Sequence, residues 1–166
     1  MTRARDLADF IATGALADGS LEIADTSGLQ AAIDAKVGST FTGDVDITGE
    51  FIADSYNESY AAVTSSSNAT TVDCEAGNTF MHTLTENTTF TFSNPPASGT
   101  AYSMSIEIIQ DASASGYTVT WPTSVDWPAA TAPTLTATAS AVDVFVFTTR
   151  DGGTTWYGFT AGQAIA

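Results

Sequence analysis

Basic side chains are scarce in this chain of 166 residues: 4 Lys and Arg stand against 19 Asp and Glu, for a formal net charge of −15. A surface so short of cations cannot neutralise a phosphate backbone, which excludes nucleic-acid binding, and it is repelled by anionic lipid headgroups. A lone cysteine, Cys74, excludes an intrachain disulfide framework, and with a single histidine, His82, no zinc site can be built from repeated Cys or His of one chain. No segment approaches the roughly twenty apolar residues of a spanning helix. The N-terminal Arg3 and Arg5 are not followed by a continuous apolar stretch, so no secretory leader is expected. The sequons at Asn57, Asn68 and Asn87 then read as by-products of a Thr- and Ser-rich composition.

What remains is enough to fold. Hydrophobic residues make up 43% of the chain and aromatics 10%, sufficient for a buried core, while charged residues are only 14% and leave the surface largely to Thr, Ser, Ala, Asn and Gly. The length suits one compact domain with an appendage. A change of texture near Tyr60 marks the boundary: residues 1–60 hold Arg3, Arg5 and Lys36, three of the four bases, whereas 61–166 are rich in Thr and aromatics with Arg150 as the sole base. The division predicted is an N-terminal arm over 1–60 and a β-rich head over 61–166.

In the arm, Leu29, Ile33 and Val37 recur every fourth residue ahead of Gly38, the pattern of a short helix with a glycine stop. So short a helix is not stable alone, and its narrow apolar stripe calls for the same helix from another copy. A second helical turn around Asp6–Ile11 would gather Leu7, Phe10 and Ile11 on one side, suited to docking on something larger. From Ser39 the period becomes two: Phe41, Val45, Ile47 and Phe51 alternate with polar residues, punctuated by Gly43 and Gly49. Two such short strands cannot bury a core within one chain, so the segment is predicted to be a stalk in which several chains wrap around an axis.

The head reads as strands throughout. Candidates are Tyr60–Thr64, Thr70–Cys74, Thr79–Thr85, Thr88–Phe92, Tyr102–Gln110, Tyr117–Trp121, Thr134–Thr138, Val142–Thr149 and Thr154–Thr160. Met104, Ile106 and Ile108 alternate with Ser103, Ser105 and Glu107, whereas Val142–Phe147 is apolar on nearly both faces, the mark of a strand at the centre of a sheet. Asp151-Gly152-Gly153 is a strong hairpin signal, Ser115-Gly116 a weaker one, and Asn94-Pro95-Pro96 ends the strand at Phe92. Many short strands with turn signals predict an antiparallel β-sandwich or jelly roll.

Candidate chemistry is sparse. His82 is the one side chain suited to proton transfer near neutral pH, yet it shares a strand face with Phe80 and Leu84 and reads as a core or interface histidine; three copies of it meeting on a threefold axis would be a metal site. Pairing it with Cys74 rests on nothing but proximity in sequence. Asp44 and Asp46 fail as a calcium loop because Thr48 stands where a third acid is needed, and alternation with Val45 and Ile47 makes them the wet face of a strand. No catalytic residue, metal or cofactor is expected, and the chain is predicted not to be an enzyme. Trp121, Trp127 and Tyr157 could stack on sugar rings if presented on loops. Proline after each of the two tryptophans suits instead a strand ending at a rim, with the rings plugging the sandwich.

Three stretches carry a resemblance. Thr89-Phe90-Thr91-Phe92-Ser93-Asn94-Pro95-Pro96, Thr118-Val119-Thr120-Trp121-Pro122 and the run from Ala141 through Arg150-Asp151-Gly152-Gly153 to Phe159 resemble the C-terminal β-domain of tailed-bacteriophage fibre proteins, especially those of marine phages. Gly38–Ile47 is similar to their stalk repeats. The resemblance implies a homotrimer with its N-termini on the particle and its β-domains outward. Because the stalk is barely two repeats, it implies a short appendage: a capsid decoration or head fibre, or a short tail fibre seated on a baseplate. In that picture Arg3, Arg5, Leu7, Phe10 and Ile11 anchor the chain to a capsid or tail protein, and Leu29, Ile33, Val37, Phe41, Val45 and Ile47 line the threefold contact. The alternative is a receptor-binding tip that holds host-surface glycan through Trp121, Trp127 or Tyr157.

Overall fold

A computed structural model of the chain describes residues 47–165. The helices predicted over Asp6–Ile11 and 27–38 fall outside them, as do Arg3, Arg5, Leu7, Phe10, Ile11, Leu29, Ile33, Val37, Phe41 and Val45. The chain divides into two compact units, Met1–Ala53 and Asp54–Ala166, so the body begins before residue 61. The reason is local: Thr79 donates a hydrogen bond to the Glu58 carboxylate, 3.2 Å, and Tyr60 already belongs to the first strand. Residues 47–59 carry no strand, so the alternation that points to one through Phe51 is not realised in that stretch.

The body is mainly β. In chain order its strands are β1 (Tyr60–Ala62), β2 (Ala69–Asp73), β3 (Thr79–Thr83), β4 (Thr88–Ser93), β5 (Tyr102–Ile109), β6 (Val119–Thr120), β7 (Val125–Asp126), β8 (Val142–Thr149) and β9 (Trp156–Ile165). Helical structure among the described residues is limited to single 3-10 turns at Cys74–Ala76 and Pro128–Ala130.

The strands form a six-stranded sheet, β1-β3-β5-β8-β9-β7, and a three-stranded sheet, β2-β4-β6. Their pairing corrects the antiparallel expectation. Strands β1, β3 and β5 are mutually parallel, β2, β4 and β6 likewise, and β7 runs parallel to β9; only β5–β8 and β8–β9 are antiparallel. From β1 to β6 the chain therefore alternates between sheets and returns each time beside its previous strand, which makes it a two-sided coil. Tyr60 lies beside Thr79 and Ala69 beside Thr89, so the first rung takes about twenty residues, at the short end of solenoid repeats. Asparagines bridge successive rungs at the corners: Asn68 Nδ2 donates to the Asn87 carbonyl, 2.8 Å, and Asn87 Oδ1 accepts from the Thr118 amide, 2.9 Å. Two of the three sequons thus have structural work for their amides.

The β8–β9 hairpin closes the coil along β5. Its turn is the one the Asp-Gly-Gly signal predicts: Gly152 and Gly153 adopt φ of 71° and 75°, and the Asp151 carboxylate accepts from the Thr155 amide and the Thr149 hydroxyl, both at 3.0 Å. A Cβ on Gly153 would lie 2.8 Å from the Pro95 ring, so the Pro95-Pro96 loop seats this turn.

Both sheets turn an apolar face inward. Phe80, Ile106, Ile108, Phe145, Phe147 and Trp156 of the larger sheet meet Val72 and Phe90 of the smaller, all fully or almost fully buried. Strand β8 is central, as its two-sided apolar pattern predicts.

Two segments differ from the sequence reading. Thr134–Thr138 is not a strand, because side chains take its backbone groups: Asp143 accepts from the Thr136 amide at 2.6 Å, Gln110 Nε2 donates to the Thr136 carbonyl at 3.3 Å, and Gln163 Nε2 donates to the Thr134 carbonyl at 2.7 Å. The same Asp143 carboxylate accepts from the Ala164 amide, 2.9 Å, where β9 bulges away from β8. Conversely, Val125–Asp126 forms β7, a two-residue strand too short to carry a period.

Candidate functional site

His82 is fully buried within one chain. Strand β3 points it inward between Phe80 and Leu84, its Nδ1–H donates to the Val63 carbonyl at 2.8 Å, and its ring meets Phe90 edge-on with centroids 5.4 Å apart. Nε2 is buried with no partner. A side chain so enclosed cannot reach a threefold axis, which corrects the metal possibility raised for three copies of it; the core reading holds. Cys74 is buried too, and desolvation pushes its thiol up to about 11, the opposite of what a nucleophilic cysteine needs. The same burial raises Tyr102, whose hydroxyl donates to the Gly77 carbonyl. Among the described residues no three His, Cys, Asp or Glu side chains gather as metal ligands, and no helix is long and apolar enough to cross a membrane.

Two of the described acids, Asp143 and Asp111, are held by several hydrogen bonds. Asp143 is buried on the same face as Phe145 and Phe147 and is held by Thr136, Ala164 and Gln163. Asp111 caps its own loop: desolvation raises its pKa, but hydrogen bonds from the Ser115 hydroxyl and from the Ser115 and Ser113 amides outweigh it and hold the carboxyl below its ordinary value.

The structure brings two of the three aromatic candidates together, Trp121 and Trp127, and leaves Tyr157 apart from them. Trp121 is 8% exposed, and its ring packs against Phe90, Trp127, Phe145 and Phe147 with centroids 5.0–5.7 Å apart. No face is left for a sugar, so Trp121 is corrected from possible glycan contact to core. Trp127 is half-buried and lies on the same inner side: a Cβ on Gly158 would sit 2.9 Å from its ring. Tyr157 alone is exposed, at 41%, on the opposite, outer face of β9. A cleft of about 320 Å³ opens beside Tyr117, Val119, Pro133 and Leu135. The Gln110 amide at its edge is already committed to the Tyr117 and Thr136 carbonyls, so the cleft has no free buried polar group to orient a ligand.

Apart from Ile165, 49% exposed, large apolar side chains are left uncovered in two places. One is the stretch 47–60, where Ile47, Phe51, Ile52, Tyr56 and Tyr60 are 48–83% exposed. The other is the outer face of the six-stranded sheet, with Tyr157 and Phe159 exposed and Met81, Val142, Val144 and Val146 half-buried. Sequence reading placed only Ile47 and Tyr157 among these as contact residues. The signal for the outer face was present in the two-sided apolar pattern of β8, which implies cover on both sides. Comparison with protein-family models, with curated proteins and with solved structures returned no match to the chain.

Proposed function

We propose that this chain is a structural, non-enzymatic protein of a tailed-phage virion: a short homotrimeric fibre or capsid decoration whose N-terminal arm docks on capsid or tail and whose β-rich body faces outward. The observation that carries the reading is the stretch 51–60, with Phe51 67%, Ile52 83%, Tyr56 73% and Tyr60 65% exposed in a single chain. Side chains of this size in so short a stretch are stable in water when other copies cover them. The resemblance of its strand and turn sequences to phage fibre domains points the same way. Gold-labelled antibody against the chain should decorate virions at one defined location in electron micrographs; purified virions without label, from a host that makes the protein, would defeat the proposal.

A second reading keeps the body as a glycan-binding tip. It now rests on Tyr157, the one candidate ring with an exposed face. Binding to host polysaccharide that is lost in Tyr157→Ala without a change in melting temperature would favour it.

A further inference from the structure

We infer that the outer face of the six-stranded sheet is the contact between the bodies of neighbouring copies of this chain. The inference deepens the proposed assembly by naming the surface that mediates it, and rests on that reading.

Charge gives the first argument. Glu107 and, at the β7 edge beside Tyr157, Asp126 are the charged side chains at the outward positions of the six-stranded sheet, few for a chain of net charge −15. Two such chains repel one another nearly everywhere, and their closest approach costs least where carboxylates are sparsest. A basic partner would be drawn to the carboxylates elsewhere on the body, so a sparsely charged, partly apolar face on an acidic protein fits another of its own kind.

Shape gives the second. The register runs Thr79, Ser105, Val146, Phe159 across four neighbouring strands. At one end of this row Phe159 stands out, 48% exposed, with Tyr157 two residues away on the same side. At the other end the small side chains of Thr79, Ser103 and Ser105 floor a hollow of about 460 Å³, lined also by Glu58, whose carboxylate accepts from Thr79, and a second of about 170 Å³ opens between Tyr60, Met81 and Glu107. Knob and hollow lie two to three strand spacings, about 10–14 Å, apart on one face. A protrusion and a recess side by side on one face let copies turned towards a common axis engage one another directly.

The test uses the full-length chain with single introduced thiols. Phe159→Cys reports on the proposed contact, and Thr71→Cys, on the exposed outer side of the smaller sheet, is the control. The native Cys74, buried and with a raised pKa, contributes only a slow background measured in the unmodified chain. Where light scattering shows an oligomer, iodoacetamide should react at least about tenfold more slowly with the thiol introduced by Phe159→Cys than with the control, and dilution to monomer should close the gap. Loss of the oligomer in Phe159→Cys alone, with an unchanged circular dichroism spectrum, supports the same contact. Equal rates in an intact oligomer overturn this inference and leave the fibre reading standing; a chain that is monomeric at every concentration overturns both.

Discussion

The smaller sheet turns Thr71, Thr89, Thr91 and Thr120 to solvent, whereas the larger turns out Met81, Val144, Val146, Tyr157 and Phe159. Inward, the two are alike, both lined with buried aliphatic and aromatic side chains. Threonine keeps the β-branched stem that favours a strand and adds a hydroxyl that water can satisfy, so a Thr-rich outer face is finished as it stands. Valine and phenylalanine at equivalent positions gain only when water is removed from them. In the proposed assembly the smaller sheet is the wet side and the larger the covered side.

The largest expected effect strikes what both sheets share. Trp121→Ala removes a ring that touches Phe90 of one sheet and Phe145 and Phe147 of the other, and should lower the unfolding free energy by about 3–5 kcal/mol in denaturant melts. A loss below about 1 kcal/mol, within the range of a surface substitution, would show that Trp121 is not the bridge between the sheets.

A middle-sized effect separates the two outer faces. Phe159→Asp should raise the concentration at which chains associate by at least about tenfold, equivalent to roughly 1.4 kcal/mol, while Thr91→Asp leaves it unchanged. Equal behaviour of the two variants in sedimentation would erase the distinction between the faces.

The smallest effect concerns the hairpin that brings Tyr157 and Phe159 to the larger sheet. Asp151 is held below its ordinary carboxylate value, first by the Thr155 amide, with the Thr149 hydroxyl adding to it and partial desolvation opposing. Because its folded-state pKa is depressed, its contribution to stability is complete above the unfolded value near about 3.9 and is lost as pH falls through the lower, folded value. Asp151→Asn should therefore be less stable than the native chain at neutral pH, with the gap narrowing below about pH 4 in thermal melts. A gap that widens in acid would contradict the assignment.

Much of this body was legible in its residues, and what escaped had a physical reason. The period of two in Tyr102–Ile109 told which side chains face inward, and Asp151-Gly152-Gly153 gave the hairpin. Neither feature encodes which strand lies alongside. Alternation is identical for a strand whose successor folds back beside it and for one whose successor crosses to the opposite sheet, so the parallel coil of β1 to β6 read as antiparallel. Thr134–Thr138 has the Thr-rich look of a strand, but Asp143, Gln110 and Gln163, distant in sequence, hold its backbone as a loop. Asp143 itself could have been found: it shares the face of Phe145 and Phe147, where a carboxylate must be buried and satisfied. Trp121 and Trp127 looked alike because each precedes a proline, and only the folded body distinguishes the buried ring from the half-buried one.

The proposed fibre depends on self-association. Light scattering of the full-length chain across a wide concentration range tests it most directly: the mass should settle at three times 17.1 kDa, and a mass of one chain at every concentration would contradict the account.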